Sequence, residues 1–263
     1  MRNIGSGNVQ LDVTGNRADV ILNRPQKKNA MNQSLLWDLR AALEEVEADD
    51  DVRVMTLLGK GDIFSAGMDL EMMKKRGEED APDLEMSLDD ITHFIDDMDT
   101  PSVAGIKGAA IAGSFELVLP VDFRVIDADA KYGVVEVKLG LFPSGGTTQR
   151  LPRLIGLSKA KEFVLTGEYI DPAEAEDCGL VHEVVDDPAD VDDAARDWAD
   201  QIAKNAPLGL KYSRQLLNNA FDMPLEQGLE FEDQLGDRLV LTDDYDEGFE
   251  ARIEGREPEF KGK

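Results

Sequence analysis

Hydrophobic residues along this chain come in short blocks, and the spacing inside each block predicts its local structure. Residues 9–14 and 18–22 read as two strands joined by a turn at Gly15-Asn16. From 33 to 48 the apolar positions Leu35, Leu36, Leu39, Leu43 and Val46 recur at helical spacing. Asp49-Asp50-Asp51 ends that helix before a buried strand at 52–58. Strand, helix, strand in this order predicts βαβ units and a largely parallel sheet. Residues 59–70 form a glycine-rich turn that leads into a helix from about Asp69. The stretch 103–116 repeats that logic with a short apolar strand, a turn of tiny residues and a buried helix from near Gly113. A further strand is expected at 123–126, followed by a polar turn at 127–130.

The remaining blocks are helical. Residues 71–99 are charged but carry Met72, Met73, Met86, Leu88, Ile91, Phe94, Ile95 and Met98, which predicts two helices broken around Gly77 to Pro82 and a mobile cover over a site. Ser158 is expected to cap a helix to 165, and Asp171 to cap another with Pro172 in its first turn. After the acidic run 186–193, helices are predicted at 191–204, 207–220, 224–241 and 243–254. Their apolar faces, such as Leu208, Leu216 and Leu217 or Leu225, Leu229, Phe231 and Leu235, would pack on the core or on neighbouring subunits.

Composition narrows the class. The 263 residues, 42% of them hydrophobic, suit a single soluble α/β domain. No run approaches the ~18 apolar residues of a membrane helix, and the N-terminus lacks a secretory apolar region. One cysteine, Cys178, excludes an internal disulfide and argues against a structural metal, so the expected setting is the cytoplasm and the expected metal is none. The net charge of −27 is spread along the chain. It argues against nucleic acid and anionic membranes as partners, and such a self-repelling surface predicts a high-salt, halophilic cytoplasm.

Candidate chemistry sits where carboxylates interrupt apolar runs. Glu116 precedes Leu117-Val118-Leu119, and Glu136 follows Val134-Val135. Small residues near Gly67 and Gly113 let backbone N–H groups approach a ligand, and two such turns aimed at one point form an oxyanion hole. Two carboxylates beside them make a general acid–base pair. The plainer alternatives are that Glu116 caps its helix and that Glu136 pairs with Lys138 or Arg150. His93 lacks any triad spacing, and Cys178 and His182 flank Gly179 at a helix end, where packing explains all three.

Over nearly its full length the chain resembles the enoyl-CoA hydratase/isomerase (crotonase) superfamily. Phe64-Ser65-Ala66-Gly67-Met68-Asp69-Leu70 is similar to the family's F-x-A-G-x-D-[LI] block. Lys107 to Leu117 is similar to N-G-x-A-x-G-G-G-x-E-L, and Tyr132 to Leu151 to F-x-x-P-E-x-x-x-G-x-x-P-x-x-G-x-T-Q-R-L. The resemblance implies an α/β fold with a β–β–α spiral core over 1–195 and a C-terminal helical trimerisation region over 196–263, assembled as trimers or dimers of trimers. It assigns the oxyanion hole to the backbone N–H groups of Met68 and Gly113, water activation to Glu116 and protonation of the α-carbon to Glu136.

Retention of both glutamates favours hydration of a trans-2-enoyl-CoA to a 3-hydroxyacyl-CoA, with no cofactor beyond the coenzyme A of the substrate. Alternatives are Δ3-Δ2-enoyl-CoA isomerisation, thioester hydrolysis or non-catalytic acyl-CoA binding. Substrate and CoA contacts are expected at Lys27, Lys28, Ala66, Asp69, Leu70, Phe260 and Lys261. Four departures stand out: Lys107 for asparagine, bulkier residues in Gly113-Ser114-Phe115 that would reshape the acyl pocket, Val135 for proline, and a permuted turn at Ser144-Gly145-Gly146-Thr147.

Overall fold

Strand β4 (Val54–Gly59) is buried along its whole length, as a parallel strand covered on both faces must be. It lies at the centre of the main sheet of a computed structural model that describes residues 1–76, 78 and 84–263. Before it come β1 (Arg2–Ile4), β2 (Val9–Thr14), β3 (Arg17–Leu22) and helix α1 (Gln33–Glu47). After it come α2 (Leu70–Arg76), α3 (Leu88–Asp97), β5 (Ser102–Ile106), β6 (Ala109–Ile111), α4 (Gly113–Val118), β7 (Phe123–Asp127) and β8 (Lys131–Gly133). The chain closes with α5 (Thr147–Ile155), α6 (Leu157–Thr166), α7 (Pro172–Asp177), β9 (Glu183–Val185), α8 (Val191–Ile202), α9 (Pro207–Asn218), α10 (Leu225–Leu239) and α11 (Asp243–Glu254).

The main sheet runs β1-β2-β3-β4-β5-β7-β9, antiparallel through β3 and parallel from there on. Strands β6 and β8 form a small parallel sheet of their own. On one side α1 buries Leu35, Leu36, Leu39, Leu43 and Val46, and its Asn32 cap accepts from the Leu35 N–H. Its buried Asp38 accepts from the N–H groups of Ser6 and Asn8, both at 2.9 Å, and so fastens the N-terminal turn. On the other side Ala195 and Ala199 of α8 pack on Val54, Leu58, Val103 and Val125. Gly105 permits this approach, since a Cβ there would lie 2.8 Å from Leu58 and 3.3 Å from Ala195.

The α/β spiral architecture expected from the sequence is present. The expected division at residue 195 falls inside α8, which packs on the sheet as one helix. Asp171 caps α7 as expected, with bonds from the N–H groups of Ala173 and Glu174. Ser158 does not cap α6; the helix starts one residue earlier, after Gly156, whose φ of +80° sets the turn. The break expected around Gly77 to Pro82, and the mobile cover with it, lies largely outside the described residues. Among the described residues no helix is long and apolar enough to cross a membrane.

Candidate active site

Two backbone turns meet here. The first follows β4 and is shaped by Asn29, fully buried, whose Nδ2 donates to the carbonyls of Lys60, Ile63 and Phe64 at 2.9–3.0 Å. Ser65 donates its N–H to the Ala109 carbonyl and its hydroxyl to the Asn29 carbonyl, so the turn is fastened to β6 and to the basic loop that carries Lys27 and Lys28. Gly67 has φ +92°, and a Cβ there would come within 2.5 Å of the Ile111 oxygen and 3.5 Å of the Gly113 nitrogen. Only glycine lets the two turns come this close.

The second turn enters α4 through Ala112, a non-glycine residue at φ 53°, ψ −124°. Such a conformation costs on the order of 1–3 kcal/mol and persists only where neighbours enforce it. Here the Ala112 N–H donates to the Gly133 carbonyl, and the Ser114 hydroxyl accepts from the Ile111 N–H at 2.7 Å. Among the described residues neither the Met68 nor the Gly113 N–H has a protein acceptor, while their neighbours Asp69 and Ala112 donate within the fold. Two adjacent unspent donors in a tight cleft are what an oxyanion requires.

Beside them lie the carboxylates. Glu116, in α4, is buried, and its Oε1 accepts from the Gly145 N–H at 2.7 Å. Burial first, and then the charge of Glu136, push its pKa up to about 7, while the Gly145 amide works in the opposite direction. Glu136, at the start of a 3-10 turn spanning Glu136–Leu139, is also buried and is likewise raised by burial. Neither of its carboxylate oxygens has a hydrogen-bond partner among the described residues. The ion pairs that could have explained Glu136 go elsewhere: Lys138 binds Glu168 at 2.8 Å, and Arg150 binds Asp96 at 2.9 Å. A buried, unpaired carboxylate coupled to a second one is costly as structure and apt for proton transfer.

The other expected contacts divide into two groups. Lys27 and Lys28 are exposed, and the Lys28 carbonyl accepts from the Ala66 N–H at 3.0 Å, so the basic loop adjoins the first turn. Leu70 is exposed at the start of α2. The Asp69 carboxylate pairs with Arg24 at 2.8 Å, which chiefly holds its pKa below the usual range, and it caps α2 through the N–H groups of Glu71 and Met72. Lys261 and Phe260 sit in a tail folded onto α11, where buried Asp244 accepts from the Lys261 and Gly262 N–H groups at 2.6 and 2.7 Å.

Ser114 and Phe115 are both fully buried. The Ser114 hydroxyl reaches the Ser65 carbonyl at 2.8 Å, and the Phe115 ring packs on Tyr132 at 4.6 Å. His93 is exposed, with Nδ1 2.8 Å from the Asp89 carbonyl. His182 packs against Phe123, and burial, then Arg124, pulls its pKa down to about 4. Sequence reasoning missed Asn29 and Gly145 as site residues. The permuted turn at 144–147 was the only signal for Gly145, and nothing in the pattern singled out Asn29.

The family model for enoyl-CoA hydratase/isomerase matches residues 14–263. The chain belongs to that family. It is 32% identical to a short-chain-enoyl-CoA hydratase from Clostridium acetobutylicum, over 97% of this chain and 98% of the relative. It is 35% identical to a 2,3-dehydroadipyl-CoA hydratase from Escherichia coli, over 92% of this chain and 94% of the relative. The crystal structure of an enoyl-CoA hydratase from Bacillus anthracis superimposes with a TM-score of 0.90 at 32% identity, covering 97% of this chain and 100% of that one.

Proposed function

We propose that this protein is an enoyl-CoA hydratase that adds water syn across a trans-2-enoyl-CoA thioester to give a 3-hydroxyacyl-CoA. The observation that carries the reading is the pair of interacting, buried glutamates, one anchored on the Gly145 N–H and the other without a partner among the described residues, beside two amides that are likewise unspent there. In this reading water attacks C3 while Glu116 takes its proton. The electron pair of the C2=C3 bond moves onto the thioester oxygen, held by the Met68 and Gly113 N–H groups. The enolate then collapses as Glu136 delivers a proton to C2.

Several features support the rest of the reading. The chemistry needs no cofactor beyond the coenzyme A of the substrate. Lys27 and Lys28 supply positive charge for CoA phosphates beside the Ala66 turn of an otherwise acidic protein. Leu225, Leu229 and Ile253 on the C-terminal helices, and Leu241 in the turn between α10 and α11, are exposed, a surface suited to assembly as a trimer or dimer of trimers. A cytoplasmic setting belongs to the same proposal.

The test is a panel of crotonyl-, longer 2-enoyl- and 3-enoyl-CoA, followed by loss of enoyl absorbance and gain of one water by mass. Hydration of a 2-enoyl-CoA is expected. Conversion of 3-enoyl-CoA without water gain, and no hydration, would establish isomerisation instead. Glu116→Gln and Glu136→Gln are each expected to lower hydration about 10²–10⁴-fold while acyl-CoA still binds.

A further inference from the structure

Thr147 is the first residue of α5 and follows Gly146, whose φ of +93° turns the chain into the helix. Its side chain is fully buried, yet its Oγ1 has no hydrogen-bond partner among the described residues. Buried hydroxyls are nearly always bonded, so an unpartnered one calls for a specific reason. The surroundings supply it. Two residues earlier, Gly145 donates its N–H to Glu116 Oε1, and the Thr147 hydroxyl and amide lie near enough to the same carboxylate to favour its charged form. The turn is held rigidly, since the Gly145 carbonyl accepts from Arg150 Nη1 at 2.8 Å. A Cβ on Gly145 would lie 3.1 Å from Glu116 Oε2, so the chain packs directly on the carboxylate.

Around Glu116 therefore lie Glu136 and Thr147. The last two have no partner among the described residues, and Glu136 is close enough to Glu116 to raise its pKa. A water molecule is stable in a buried polar site when two to four groups bind it. The carboxylates can only accept from water while ionised, whereas a hydroxyl can also donate. A third anchor that can do either fixes the orientation of the water and leaves one lone pair free to attack carbon.

We propose that Thr147 is a further site residue, holding through its hydroxyl the water that the two glutamates add to the enoyl thioester. The assignment rests on the hydratase reading above. It also predicts a second effect: the hydroxyl dipole favours the ionised form of Glu116, so its loss raises the pH at which Glu116 becomes an effective base.

The test compares Thr147→Val, which keeps the shape, and Thr147→Ala with Thr147→Ser, which keeps the hydroxyl, each checked for wild-type folding by circular dichroism. The expected result for Val and Ala is a fall in kcat of about tenfold or more with KM for crotonyl-CoA nearly unchanged. The acidic limb of the kcat/KM profile is expected to move to higher pH, and Ser is expected to restore both. Wild-type kcat and pH profile in the Val variant would overturn the proposal, as would a Ser variant as impaired as Val, because packing would then be the whole role. Failure of the hydratase reading is a separate result, seen as absence of hydration by the wild-type protein.

Discussion

Glu116 shows how much a single carboxylate can cost this fold. Its pKa rises from the ordinary 4.5 to about 7, chiefly through burial and then through Glu136. Below the unfolded value both states are protonated and nothing is lost. As pH climbs from there towards 7 the unfolded chain ionises while the folded one resists, so stability falls. Above 7 the cost is complete, about 3 kcal/mol at most. Glu116→Gln keeps an oxygen for the Gly145 N–H and removes the charge. It is therefore expected to melt higher than the wild type at pH 8, with the difference shrinking towards pH 5. A difference independent of pH would show that the carboxylate is not strained. At this scale much of the site is legible in sequence, because a carboxylate in an apolar run is conspicuous. Asn29 and Gly145 are not, because they act by hydrogen bonds to and from the backbone that only the folded loops bring within reach.

At the scale of elements, a buried cation, Arg214, helps to tie α9 to the core. Arg214 of α9 binds both Asp122 oxygens through Nε at 2.9–3.0 Å. Its Nη groups donate to the carbonyls of Ile95, Asp96 and Met98 at the end of α3. It satisfies orphan helix carbonyls and an acidic group at once. Removing it strands both, so Arg214→Ala is expected to destabilise the protein by about 3 kcal/mol in urea unfolding, with loss of α9 docking. A change under about 0.5 kcal/mol would place the docking energy in apolar contacts instead. Most helices were legible: α1, α8, α9, α10 and α11 carry regular apolar stripes, and their ends lie within a few residues of those expected. Helix α5 was not, because Thr147-Thr148-Gln149-Arg150 opens it with polar residues and Pro152 sits inside it. It buries only Thr147 and Leu151. The short strands β1, β8 and β9 carry three residues each, too few for any period to show.

For the whole molecule, charge sets the conditions under which the fold is comfortable. A net charge of −27 on 263 residues makes the folded surface repel itself, and screening relieves that repulsion. The melting temperature is expected to rise between dilute buffer and molar KCl, measured by differential scanning calorimetry. A flat or falling melting temperature would remove the high-salt reading. The ion pairs that matter most for architecture are shielded from this effect. Asp19, buried between the sheet and α8, takes Arg17 and Arg196 at 2.8 Å each and the Thr56 hydroxyl at 2.9 Å, so its charge is met by direct partners.

The sequence alone determined the alternation of strand and helix, the two glycine-rich turns and the two out-of-place carboxylates. These follow from local period, backbone freedom and the cost of burying charge, all of which act over a few residues. Only the tertiary structure decided which bonds those groups keep. It sent Lys138 and Arg150 to other acids, leaving Glu136 without a partner among the described residues, and turned Ser114 and Phe115 into the core. It also set Gly145 and Thr147 against Glu116. Those choices depend on segments far apart in the chain arriving at one point, and hydrogen-bond partners are chosen by distance in space.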